Sequence, residues 1–199
     1  MINMDEYEIG RTKTIIGMAI DFTAMIRVFE KGSTARIGRM IEEFLRKSSG
    51  VNKKSQFDKL HQQFCQEFMS AIRLAKIKAG QSSYASYGQA AKVLDVSLKA
   101  CVDFCQLPNP ETSKRIKPFL HAGIDTPILE FLKREEHLEI NVRSVKDIDR
   151  QRYKIFQDAV AKQIVTKFGG RISPVMWDNI MWRRLNRESF KPTEALGSI

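Results

Sequence analysis

Apolar residues recur along most of the chain at threes and fours, the spacing of one face of an α-helix rather than the alternation of a strand. From Thr12 to Glu30 the repeat Ile15, Ile16, Met18, Ala19, Phe22, Met25, Ile26 and Phe29 predicts a first helix, which Gly32 and Ser33 stop. A second is predicted over Thr34 to Lys47, ending at the serines and glycine of residues 48–50. A third spans Ser55 to Ala79, with Ser55 as its cap, Phe57, Leu60, Phe64, Phe68, Ile72 and Leu74 as its buried face, and Gly80 as its end. The stretch QSSYASYG, residues 81–88, reads as a turn.

After that turn the pattern predicts a helix over Gln89 to Cys105, stopped by Leu107, Pro108, Asn109 and Pro110. Thr112 or Ser113 then opens a short basic helix, interrupted at Pro118. In HAGIDTPILEFLKRE, residues 121–135, Asp125 has the signature of an N-cap, and Pro127 sits in the first turn, where a missing N–H is harmless. A polar connector over residues 135–146 leads to a long helix ending at Gly169 and Gly170, and Ser173 with Pro174 starts the last one. No strand alternation is sustained, and nothing repeats at a period of about 20 to 50 residues. The expected fold is all-α, with about seven to nine helices. Residues 1–190 would form one domain, or two packed lobes around a central active-site segment 81–135, followed by a frayed tail, 191–199.

Composition narrows the function. Of 199 residues, 43% are hydrophobic and 28% charged, as in ordinary globular proteins. The formal net charge of +10 favours a partner made of phosphates or another anionic surface. No apolar run approaches the roughly 18 to 20 residues of a membrane span, and the start MINMDEYEIG is unlike a signal peptide, so a cytoplasmic protein is expected. The cysteines, Cys65, Cys101 and Cys105, all fall in apolar helical patterns and read as reduced, buried thiols. Cys101 and Cys105 lack a second Cys or His pair nearby, so neither a metal nor a cofactor is expected.

Lys92 is the awkward residue of the stretch YGQAAKVLDVSLK. It follows Gly88 by four positions and stands where the helix begins to bury Val93, Val96 and Leu98. Together, GQAAKVLD (residues 88–95) and GIDTPILEFL (residues 123–132) resemble the core of the helix-hairpin-helix DNA glycosylases, in particular the branch that excises oxidised purines. In that family a hairpin with glycine leads into a helix carrying a lysine, and a later loop delivers an aspartate at a helix N-terminus. Lys92 matches the lysine, Asp125 the aspartate, and Ile124 and Thr126 fit the flanks.

The resemblance implies a monomeric enzyme that flips a damaged or modified base out of duplex DNA and excises it. Asp125 would stabilise the positive charge that develops on the sugar, and Lys92 would attack C1′. Gly88 would lie in the DNA-binding hairpin. Tyr84, Tyr87, His121, Trp177 and Trp182 are available to contact the base, and Lys114, Arg115, Lys117, Arg183, Arg184 and Arg187 to contact phosphates. An enzyme directed against modified phage DNA is a variant of this reading. Two other readings stay open: a basic helical nucleic-acid-binding protein in which Asp125 is only a cap, and a helical adaptor whose basic face meets an acidic partner. Each residue also has a plain structural role to set beside these: Lys92 as an edge charge, His121 as a structural histidine, and the tryptophans as core.

Overall fold

The computed structural model describes residues 4–76 and 82–186. Among these the fold is all-α, with eight α-helices: α1 (Met4–Phe22), α2 (Ser33–Ser48), α3 (Lys54–Ala71), α4 (Tyr87–Leu98), α5 (Pro110–Ile116), α6 (Thr126–Glu135), α7 (Arg150–Phe168) and α8 (Pro174–Leu185). The expected helix end at Gly80 with the three residues before it, the tail 191–199 and Arg187 lie outside the described residues. No described helix is long and apolar enough to cross a membrane.

Local signals place most of the boundaries. Ser86 and Gln89 form a reciprocal capping box at the start of α4, Ser86 Oγ accepting from Gln89 N and Gln89 Oε1 from Ser86 N. Asn109 caps α5, Asp125 caps α6 and Asp149 caps α7, each accepting the N–H three residues on. Gly169 and Gly170 end α7 with φ of 60° and 71°, which glycine adopts without penalty. Asn109, rather than Thr112 or Ser113, opens α5; both of those residues are buried instead. At α3 the N-cap position is Lys53 rather than Ser55, and Gln56 Oε1 reaches back to accept from Asn52 N and Lys53 N.

Three helices end earlier than their periodicity predicts, and α4 gives way after Leu98 to a π-helical turn over Lys99–Phe104. α1 stops at Phe22 because Thr23 turns its hydroxyl back onto Ile20 O and Ala24 is left-handed, leaving a single 3-10 turn over Met25–Val28. α3 stops at Ala71, since the backbone of residues 72–75 is extended and bonded to two distant segments. Leu74 N donates to Ser83 O, Ala85 N to Ile72 O, Ala75 N to Val28 O and Glu30 N to Arg73 O. The apolar positions 72 and 74 continue the helical pattern of α3 by chance; Ile72 is buried from an extended backbone.

One hydrophobic cluster draws side chains from all eight helices. α4 lies at its centre, packing against α1, α3 and α7, and every α4 residue is buried except Lys92 and Val96. Gly88 makes this position possible. A Cβ there would meet Val145 O at 2.2 Å and Ile148 Cβ at 2.6 Å, and the Gly88 N–H donates to Ile148 O at 2.9 Å. Only a residue without a side chain lets α4 sit this close to the loop before α7.

Candidate functional site

Between the first halves of α3 and α7 lies a cleft of about 860 Å³, with Lys54, Lys59, Arg150 and Lys154 among its lining residues. α3 sends Lys54, Asp58, His61 and Cys65 along one face, at i, i+4, i+7 and i+11. α7 adds Tyr153 and α4 adds Asp95, the one acidic residue of that helix. The extended segment between α5 and α6 adds His121.

These side chains form one connected array. His61 Nε2 lies 2.9 Å from Asp95 Oδ1, and the Tyr153 hydroxyl donates to Asp95 Oδ2 at 2.6 Å. That hydroxyl is also 2.9 Å from His121 Nδ1 and 3.3 Å from His61 Nε2. On its outer side His121 Nε2 is 2.8 Å from Asp58 Oδ1, and Lys54 pairs with the same carboxylate. The rings of His61 and Tyr153 stack, 15° from parallel, which fixes both imidazole and phenol in the floor. Asp95 and His61 are out of reach of water, whereas His121 reaches the cleft with 11% of its side chain exposed.

Burial and neighbouring charge push these groups apart. Burial works against a charged His61, but Cys65 and Asp95 outweigh it and raise its pKa to about 10. His121 is lowered to about 4 by burial and by the His61 charge, against the pull of Asp58. Burial, with the Asp95 charge, holds the Tyr153 hydroxyl protonated well above the usual phenol range. At Asp58 burial is overcome by the hydrogen bonds from His121 and Lys54, and its pKa falls to about 2.

Asp125 stands elsewhere. It is half-buried at the head of α6, where Ile128 N donates to its Oδ1 at 3.0 Å. Two residues earlier, Gly123 N donates to the buried Asp178 Oδ2, which also accepts from Lys99 Nζ at 2.7 Å. Burial raises the Asp178 pKa, the Lys99 charge opposes this, and the charge of Asp125 adds to the rise. Lys92 and Val96 on α4, and Lys99 just past its end, are spaced i, i+4 and i+7 along one partly exposed stripe. A Cβ on Gly123 would lie 3.2 Å from Val96 Cγ2, so the segment carrying Asp125 crosses this stripe closely. Neither Lys92 nor Asp125 lines the cleft.

The other residues singled out from the sequence fall in three kinds of place. Tyr87 and His121 come together with Tyr153 in the cleft, and Tyr87 also walls a smaller cavity of about 380 Å³. Gly88 and Trp177 are buried in the packing, Trp177 with its ring 6.4 Å from that of Phe131. Arg115 is tied to the backbone past α2, donating to Ser49 O and Val51 O, and Lys117 pairs with Asp103. Tyr84 is at the surface beneath the Arg73 guanidinium, and Lys114, Trp182, Arg183 and Arg184 are exposed.

Sequence reasoning missed His61, Asp95, Tyr153, Asp58, Lys99 and Asp178. A signal existed for two of them: a histidine on the face of α3 next to its phenylalanines, and a lone acid inside the apolar run of α4. Compared with known protein families, curated proteins and solved structures, the chain matches none.

Proposed function

We propose that the chain is a DNA N-glycosylase that releases a damaged or modified base and leaves an abasic site. One observation supports this reading above the others: Asp125 is held at the N-terminus of α6, beside the Lys99–Asp178 pair and next to the α4 stripe that carries Lys92. Breaking an N-glycosidic bond builds positive charge on the deoxyribose, and a fixed carboxylate facing C1′ stabilises it. The bond from Ile128 N fixes that carboxylate in orientation. Lys92, once deprotonated, attacks C1′; the C1′–N bond breaks, its electron pair leaves with the base, and the base gains a proton. The sugar ring then opens to an imine on the lysine.

The direct test is release of free bases, read by mass spectrometry, from genomic DNAs carrying different natural modifications. With Lys92 as nucleophile, borohydride traps a covalent protein–DNA adduct, and Lys92→Gln abolishes it. Base release that persists without an adduct would assign water as the nucleophile and leave Lys92 a supporting charge. No release from any DNA overturns the glycosylase reading.

Binding to DNA rests on the net charge of +10 and on the exposed Lys114, Arg183 and Arg184. If about four to six phosphates are neutralised, the affinity falls with salt at a log–log slope of about −4 to −5. Reversing Arg183 and Arg184 to Glu weakens binding to all sequences alike, because phosphate contacts carry no base information. A slope near zero removes nucleic acid as the partner. The capping bond of Asp125 favours one second reading, a basic helical DNA- or RNA-binding protein in which this residue only starts α6. That protein keeps the salt slope and releases no base.

A further inference from the structure

We infer that the floor of the cleft is a binding site for a divalent first-row transition ion, held by His61 Nε2, Asp95, His121 Nδ1 and the Tyr153 oxygen. His61, Asp95 and His121 each offer a ligand atom, all within 4.8 Å of one another. Bonds of about 2.0 to 2.2 Å from an ion to nitrogen and oxygen donors place neighbouring donors about 3.0 to 3.5 Å apart. The separations here are 2.9 Å (His61 to Asp95), 3.3 Å (His61 to Tyr153) and 2.9 Å (His121 to Tyr153), so small side-chain movements complete the shell. Two imidazoles with a carboxylate suit Zn²⁺ or Fe²⁺ rather than Mg²⁺ or Ca²⁺, which prefer oxygen.

Hydrogen bonding within the array points the same way. His121 Nε2 lies 2.8 Å from both Asp58 Oδ1 and Lys54 Nζ, and in the tautomer that donates to Asp58 the Nδ1 lone pair faces inward. The Tyr153 oxygen then faces His121 Nδ1, Asp95 Oδ2 and His61 Nε2 with a single proton of its own to share. A cation at the centre displaces the proton that His61 Nε2 shares with Asp95 and then meets all of these atoms together. The outer contacts are those of ligating histidines, which pass their second nitrogen to a carboxylate or another acceptor. His121 meets Asp58 in this way, and His61 Nδ1 faces Cys65 Sγ at 3.8 Å. The cleft supplies the entry path, because His61, His121 and Tyr153 all line it. Lys54 approaches only the outer nitrogen of His121, 2.8 Å from Nε2, and pairs with Asp58 outside the floor.

This inference does not depend on the glycosylase reading. It is tested on the full chain, stripped with chelator, dialysed against micromolar Zn²⁺ and analysed for metal by mass spectrometry. Expected is about one ion per chain. His121→Asn, at the edge of the cleft, and Asp95→Asn each weaken binding by more than about 100-fold, while Asp58→Asn weakens it about 10- to 100-fold. Circular dichroism checks that each variant keeps its helices; where Asp95→Asn does not, His121→Asn decides. A folded wild-type chain that retains no Zn²⁺ overturns the site, and so does Zn²⁺ binding that survives His121→Asn unchanged. Zn²⁺ should also raise the melting temperature of the wild-type chain and leave that of His121→Asn where it was.

Discussion

Replacing Asp125 by Asn should lower base release by at least about 100-fold while leaving the melting temperature nearly unchanged. The two effects separate because asparagine caps a helix about as well as aspartate: its side-chain oxygen still accepts the Ile128 N–H. What Asn lacks is the negative charge. A carboxylate aimed at a developing cation in a water-poor site lowers the barrier by about 3 to 4 kcal/mol, the magnitude typical of one electrostatic stabiliser. The substitution also relieves the repulsion between Asp125 and the buried Asp178, which offsets the lost attraction of a carboxylate to the N-terminus of α6. Kinetics on one modified DNA with thermal melts of both proteins make the measurement. A variant that unfolds, with its folded fraction releasing base normally, would make Asp125 a structural cap and sink the glycosylase reading.

Gly88→Ala should lower stability by about 2 to 3 kcal/mol, or roughly 5 to 10 °C in melting temperature. Helix propensity argues the opposite, because alanine inside a helix is favoured over glycine by about 1 kcal/mol. Geometry decides the sign. The new methyl would lie 2.2 Å from Val145 O and 2.6 Å from Ile148 Cβ. Neither neighbour is the far end of a flexible side chain, so α4 must move away and stretch the bond from Gly88 N to Ile148 O. Gly17 in α1 provides the control, since a Cβ there meets nothing within 4 Å. Gly17→Ala should therefore raise the melting temperature slightly. Equal responses of the two variants would show that α4 does not approach the loop closely.

The capping signals were legible because they are local. Asp125, Pro127 and the glycine pair at 169 and 170 act within one helical turn, so their residue types suffice to place a helix end. The over-long α3 shows where this reasoning stops. Apolar residues at 72 and 74 match a helical face, yet the backbone there bonds to residues 28, 30, 83 and 85, and no local pattern reports such partners.

By itself the sequence determined an all-helical chain, its main breaks, its basic charge and the N-terminal position of Asp125, because periodicity, caps and charge are properties of neighbouring residues. The tertiary structure decided which polar groups meet. His61 and Asp95 are 34 residues apart in sequence, and Tyr153 and Asp95 are 58 apart, so their meeting is set by how α3, α4 and α7 pack. Lys92 and Asp125, the residues on which the resemblance rests, are not among those that line the cleft. Contact between distant segments depends on the shape of the whole core, and one missing side chain at Gly88 is enough to set how closely α4 approaches the loop before α7.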